Sequence, residues 1–216
     1  YLDGGAGADV MRGGTENDIY LVDDLDDQTL EALDEGYDIV RTELDGWVLA
    51  GNIEGLQLEG AGDIDGTGNG LANNMQGSSG ANTIYGLAGN DTINGADGND
   101  IIVGGLGGDQ LRGGAGADSF VIGQESTVAR TELDQIHDFS IGQMDIIDLS
   151  GIDAIAGGAD DAFSLVGAFS KHAGEMTLTF AAGITTLKLD INGDAKADYT
   201  LKINGDVTGD SGRWML

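Results

Sequence analysis

The sequence predicts an all-β chain, a parallel β-roll of short stacked strands closed by a C-terminal antiparallel, β-sandwich-like cap. Three observations carry that expectation. A glycine-rich nine-residue period runs in register from Gly77 to Val121, its eighth position is always a large apolar residue, and the last third of the chain alternates apolar and polar residues in short runs.

The period is read in rows of nine: GSSGANTIY, GLAGNDTIN, GADGNDIIV, GGLGGDQLR and GGAGADSFV. The fourth column is Gly80, Gly89, Gly98, Gly107 and Gly116. The sixth is Asn82, Asp91, Asp100, Asp109 and Asp118, and the eighth is Ile84, Ile93, Ile102, Leu111 and Phe120. A degenerate row, GNGLANNMQ, precedes them from Gly68, and two further rows open the chain at Gly4 and Gly13, placing Asp9 and Asp18 in the sixth column and Met11 and Tyr20 in the eighth. Glu16 stands where the fourth-column glycine is expected. A flexible glycine-rich linker has no reason to set an apolar residue at every ninth position.

Each row divides physically into a six-residue turn and a three-residue strand. Glycine permits the positive φ that lets turn carbonyls converge, and the eighth-column side chain points inward. Two rows make one coil, so rows two apart stack and their turns face one another along an edge.

Composition says what those edges attract. Asp and Glu number 38 against 9 Lys and Arg, a net charge of −29, with no Cys and no Pro. Such a surface repels nucleic acid and anionic membranes, and without thiols any metal must be held by oxygen, which selects hard cations. No apolar run approaches the ~20 residues that span a bilayer. Tyr1 falls inside a repeat, which reads as a cut in a longer protein.

These rows match the calcium-binding nonapeptide G-G-x-G-x-D-x-U-x, and the chain resembles the RTX family. After Phe120 the resemblance narrows to the serralysin-type C-terminal domain of peptidase family M10, through Gln124-Glu125-Ser126-Thr127-Val128-Ala129, Asp134 to Phe139, and Gly142 to Ser150. It implies several Ca²⁺ ions held between stacked turns by the sixth-column residues and by turn carbonyls at Gly89, Gly98, Gly107 and Gly116. It also implies that Glu125 and Asp134 close the last site, although Glu125 stands where that family usually has Asp. Asn82 is a weaker ligand than a carboxylate.

Residues 22 to 67 lack the period, and short apolar runs such as IYLV and YDIV suggest strands that continue the roll as longer, calcium-free coils. Asp23, Asp24, Asp26 and Asp27 read as a solvated acidic turn, with a cation site as the alternative. Residues 1–121 are therefore expected to form an interrupted roll, with repeats at 4–21 and 68–121, and 122–216 the cap with a secretion signal. In the cap EMTLTF, ITTLKLD and DYTLKI read as antiparallel strands, with Phe163, Leu165, Val166 and Phe169 in its core. The loop DINGDAKAD places Asp190, Asn192, Asp194 and Asp198 at the spacing of a calcium loop, with Ala195 where the sharp turn usually takes glycine; the alternative is a plain hairpin turn.

No catalytic constellation stands out. His137 and His172 are far apart and outside any H-E-x-x-H context, so a histidine-rich zinc site cannot be built. His137 is expected to be an ordinary surface residue. The resemblance implies a non-catalytic, secreted, extracellular module that leaves the cell through a type I secretion apparatus, folds on binding calcium and stabilises an upstream domain. That upstream parent would be a zinc metalloprotease or a polysaccharide-modifying enzyme. The tail, Asp210 to Leu216, is acidic then hydrophobic, as such secretion signals are. The rival expectation is a polysaccharide- or self-binding module, for which Trp47 and Tyr85 are the candidate contacts.

Overall fold

The structure, a computed structural model, describes residues 1–123, 133–155, 161–209, 212 and 214. Among them the first half of the chain contributes β1 (Leu2–Asp3), β2 (Val10–Arg12), β3 (Ile19–Val22), β4 (Gln28–Leu30), β5 (Ile39–Thr42), β6 (Trp47–Val48), β7 (Gly55–Leu58), β8 (Gly66–Thr67), β9 (Asn74–Gln76) and β10 (Thr83–Tyr85). The second half adds β11 (Thr92–Asp97), β12 (Ile101–Val103), β13 (Gln110–Ala115), β14 (Ser119–Val121), β15 (Asp134–Ile136), β16 (Ile146–Asp148), β17 (Ser164–Leu165), β18 (Glu175–Ala181), β19 (Ile184–Asp190) and β20 (Tyr199–Asn204).

Strands β1 to β16 alternate between the two faces of a roll. Odd-numbered strands from β1 to β15 lie side by side in one parallel sheet, and β6, β8, β10, β12, β14 and β16 form the facing sheet. In the repeat block the register is the one a two-row coil requires: Ile84 faces Ile102, and Ile93 faces Leu111. Strict alternation of direction across the pleat then buries the eighth-column residues between the sheets. Met11, Tyr20, Met75, Ile84, Ile93, Ile102, Leu111 and Phe120 are all buried.

The interruption continues the roll, as its apolar runs predict. Ile19 faces Ile39, Ile39 faces Gly55, and Gly55 faces Asn74, steps of 20, 16 and 19 residues. Coil length therefore varies both ways around the repeat value, rather than only lengthening. On the opposite face β2 and β4 pair with each other and stand apart from the six-stranded sheet, which ends at β6.

The antiparallel strands of the C-terminal region form where the alternation places them. Thr177 faces Lys188 across β18 and β19, and Leu187 faces Leu201 across β19 and β20. They close the roll by extending its longer sheet: β20 lies parallel to β15, with Asp134 facing Leu201. That pairing gives the last coil's otherwise unpaired backbone groups a partner. The new edge is the two-residue β17, paired on one side with β18.

Met176, Leu187, Leu189, Leu201, Ile203, Val207 and Trp214 join the same buried core as the roll. Phe163 belongs to it too, but Leu165, on the two-residue edge strand, is half exposed. Trp47 is buried as well, so of the two aromatics expected on the surface only Tyr85 is exposed.

Candidate metal centre

At both edges of the roll, each sixth-column backbone N–H donates to the carboxylate that occupies the same slot one coil later. Along one edge Asn73 donates to Asp91 Oδ1 (2.7 Å), Asp91 to Asp109 Oδ1 (2.9 Å) and Asp109 to Asp134 Oδ1 (2.9 Å). Along the other, Asn82 donates to Asp100 Oδ1 (2.8 Å), Asp100 to Asp118 Oδ1 (2.9 Å) and Asp118 to Asp145 Oδ1 (3.1 Å). Two rails of buried carboxylates result. Charge-assisted bonds to backbone N–H are among the stronger hydrogen bonds, so each rail also ties coil to coil.

The second oxygen of these side chains is the informative one. Oδ2 of Asp91, Asp100 and Asp118 is buried and has no hydrogen-bond donor among the described residues. Each lies against the first glycine of its own row, Gly86, Gly95 or Gly113, where any Cβ would collide with it. The carbonyls of Gly104 and Gly113 crowd Gly86 and Gly95 from the next coil. Burial, opposed by the backbone N–H bond, pushes the carboxyl pKa of all three up to about 6.

A buried carboxylate without a countercharge costs several kcal/mol. Carboxylate oxygens and turn carbonyls gathered without nitrogen or sulfur are the donor set of a hard divalent cation. The residues therefore fit Ca²⁺.

The fourth-column glycines make this stacking possible. Gly89, Gly98, Gly107 and Gly116 take φ of +124°, +126°, +142° and +143°. A Cβ on any of them would overlap the backbone carbonyl of the residue one coil earlier: Leu71, Gly80, Gly89 and Gly98 respectively.

The other expected ligands divide into groups. Asp9 and Asp18 occupy the same rail slot near the N-terminal end, donating backbone N–H to Asp27 Oδ1 and Asp38 Oδ1, both at 2.8 Å. Asp27 is thus buried within a rail instead of solvated, and its Oδ2 also accepts from the N–H of Asp23 and Asp24. Asn82 closes its own turn, its Oδ1 accepting from Ser78 N–H (2.8 Å) and its Nδ2 meeting Ser78 Oγ (2.9 Å). Asp134 Oδ2 accepts from the Tyr199 hydroxyl at 2.7 Å, pinning β20 to the rail. Glu125 lies outside the described residues.

The loop between β19 and β20 gathers Asp190, Asn192 and Asp198. Asp190 accepts from Gly193 and Ala195 N–H (2.7 and 2.8 Å), and Asp198 from the N–H of Ile191 and from Asn192 Nδ2 (both 2.7 Å). Asp194 turns toward Lys196 Nζ at 3.1 Å, and Ala195 takes the left-handed φ of +64° that the expected glycine would have supplied. His137 is not simply a surface residue: it is half-buried, its Nε2 lies 2.6 Å from Gln110 Oε1, and burial together with Arg112 lowers its pKa.

Asp27, Asp38 and Asp145 were not among the sequence-predicted ligands. Each is followed two residues later by an inward side chain, Thr29, Val40 or Ile147, as Asp118 is by Phe120. That local spacing was the available signal.

Comparison with known proteins agrees with this geometry. The profile of the peptidase M10 serralysin C-terminal family matches residues 64–212, and that of the RTX calcium-binding nonapeptide repeat matches residues 1–28. Metallopeptidase AprA of Pseudomonas marginalis is 42% identical over 90 residues, 41% of this chain and 18% of that protein. Metalloprotease AprA of Pseudomonas entomophila is 42% identical over 91 residues, with the same coverage. The matched segment thus spans less than a fifth of the length of these relatives. The AlgE6R2 subunit of the Azotobacter vinelandii mannuronan C5-epimerase has the same fold, with a TM-score of 0.52 at 22% identity over 72% of this chain and 93% of that one. With a family match over most of its length and the repeat profile at its start, the chain belongs to the peptidase M10 serralysin C-terminal family and carries RTX calcium-binding repeats.

Proposed function

We propose that this chain is a calcium-triggered folding module of a larger secreted protein, exported unfolded through a type I secretion apparatus and locked into shape outside the cell. One observation carries the reading: Asp91, Asp100 and Asp118 each bury a carboxylate oxygen that has no donor among the described residues. In the calcium-poor cytosol those charges oppose folding. In millimolar calcium each ion neutralises two of them and joins two coils.

The ligands proposed are Asp91, Asp100, Asp109 and Asp118 with the carbonyls of Gly89, Gly98, Gly107 and Gly116, extended by Asp9 and Asp18 at one end and by Asp134 at the other. Asp190, Asn192, Asp194 and Asp198 form a separate candidate, whose carboxylates keep lone pairs beyond those used within the loop. Sites of extracellular type bind at ~10⁻⁴ to 10⁻³ M, and a tenfold excess over Kd adds about 1.4 kcal/mol per site. Several such ions supply much of the roughly 5–15 kcal/mol that holds a domain together. The parent is proposed to be a metalloprotease like the relatives that share this region.

Far-UV circular dichroism tests the switch. The expected result is a disordered spectrum in EGTA that converts to β on adding millimolar calcium; equal β content in both conditions would overturn the proposal.

A further inference from the structure

The strongest feature outside the repeat lies where the first repeat block gives way to the interruption. Turn 13–18 stacks on turn 31–38, with Glu16 N–H donating to Glu35 O (2.7 Å) and Asp18 N–H to Asp38 Oδ1 (2.8 Å). In the repeat block the residue that faces a first-column glycine is another glycine. Here it is Glu31, whose side chain folds back over Gly13. Its Oε2 accepts from Gly14 N–H at 3.3 Å, and its Oε1 accepts the Tyr20 hydroxyl proton. The Tyr20 oxygen in turn accepts from Gly13 N–H at 2.7 Å, so the phenol is fixed at both ends.

One carboxylate oxygen from each of Asp18, Glu31 and Asp38 lies within 4.8 Å of the others. Asp38 is 1% exposed, and its Oδ2 has no donor among the described residues. Burial shifts the carboxyls of both Glu31 and Asp38 upward. Among the described residues neither Glu31 nor Asp38 forms an ion pair with a Lys, Arg or His side chain.

We propose that Asp18, the sixth-column residue of its row, joins Glu31 and Asp38 from the interruption in a calcium site at the junction between repeat and interruption, with the Tyr20 hydroxyl orienting Glu31. The donors are all oxygen, which selects a hard cation over zinc or copper. Three carboxylates from two stacked turns converge here, against the two that a pair of repeat turns supplies, and affinity rises with ligand charge. This site therefore fills at lower calcium than the repeat sites. A hydrogen-bonded neighbour that orients a ligand is commonly worth 10–100-fold in affinity, the role given to Tyr20.

The proposal rests on the calcium reading above, and one titration separates the two. Calcium is titrated into the full chain by calorimetry, with bound metal counted after dialysis. Glu31→Gln is expected to lose the tightest step and one ion while keeping the remaining steps and the calcium-saturated dichroism spectrum. Tyr20→Phe, which alters no carboxylate, is expected to weaken that same step 10–100-fold. Wild-type steps in Glu31→Gln overturn the site; should that variant not fold, an unchanged tightest step in Tyr20→Phe overturns it. Absence of calcium binding by the wild type would instead overturn the folding-module reading.

Discussion

Asp91, Asp100 and Asp118 divide their two oxygens between two tasks: Oδ1 takes the N–H of the preceding coil, while Oδ2 is left facing glycine. Only glycine leaves room for that second oxygen, and only glycine at the fourth column lets successive carbonyls stack. Gly116 shows the constraint sharply, since its φ is +143° and an added Cβ would overlap the fixed carbonyl of Gly98. Gly116→Ala is therefore expected to cost about 2–4 kcal/mol, combining left-handed strain with overpacking. Gly70→Ala, where a Cβ meets nothing within 4 Å, is expected to stay within about 0.5 kcal/mol. Urea midpoints in saturating calcium measure both, and equal losses would refute the stacking argument. At this scale the sixth-column rail residues were legible because every row keeps its register. Asp27, Asp38 and Asp145 were not, because coils of irregular length hide the slot. Glu31 stands in a position where the pattern asks for glycine, so nothing in the sequence marks it as facing Asp18.

The strands are three residues long in much of the roll, too short to be stable alone. Their stability comes from ladders of identical positions: Ile84, Ile102 and Phe120 stack through one sheet, and Ile93, Leu111 and Ile136 through the other. Ile102 is fully buried at the centre of its ladder. Ile102→Ala is expected to cost about 2–5 kcal/mol, whereas Ile101→Ala, on the outward face of the same strand, is expected to cost under about 1 kcal/mol. Calcium-saturated unfolding of the two variants measures the difference, and near-equal losses would contradict the inward ladder. Alternation made the strands of β18 to β20 readable as antiparallel. It could not show that β20 would take the open edge of β15, since that pairing joins residues 65 or more positions apart, as between Asp134 and Tyr199. Leu165 and Trp47 were misplaced for the same reason: a facing layer built from distant residues decides burial.

For the molecule as a whole, a net charge of −29 and a set of buried carboxylates set the pH response. Asp91, Asp100 and Asp118 titrate at about 6 in the metal-free fold, against roughly 3.9 for an unfolded Asp. Between those values the folded chain binds more protons than the unfolded one, so metal-free stability is fullest below about 4 and is lost as pH rises through 6. Protonation across the rest of the acidic surface acts in the same direction by reducing self-repulsion. Calcium reverses the order, because the ion requires the deprotonated oxygens that protons would occupy. In EGTA the β signal and melting temperature are therefore expected to be higher at pH 5 than at pH 7.5, while in saturating calcium pH 7.5 gives the higher melting temperature. A metal-free chain equally unfolded at both pH values would show that carboxylate burial does not set the folding threshold. A calcium-loaded chain more stable at pH 5 would show that the ions do not bind those carboxylates.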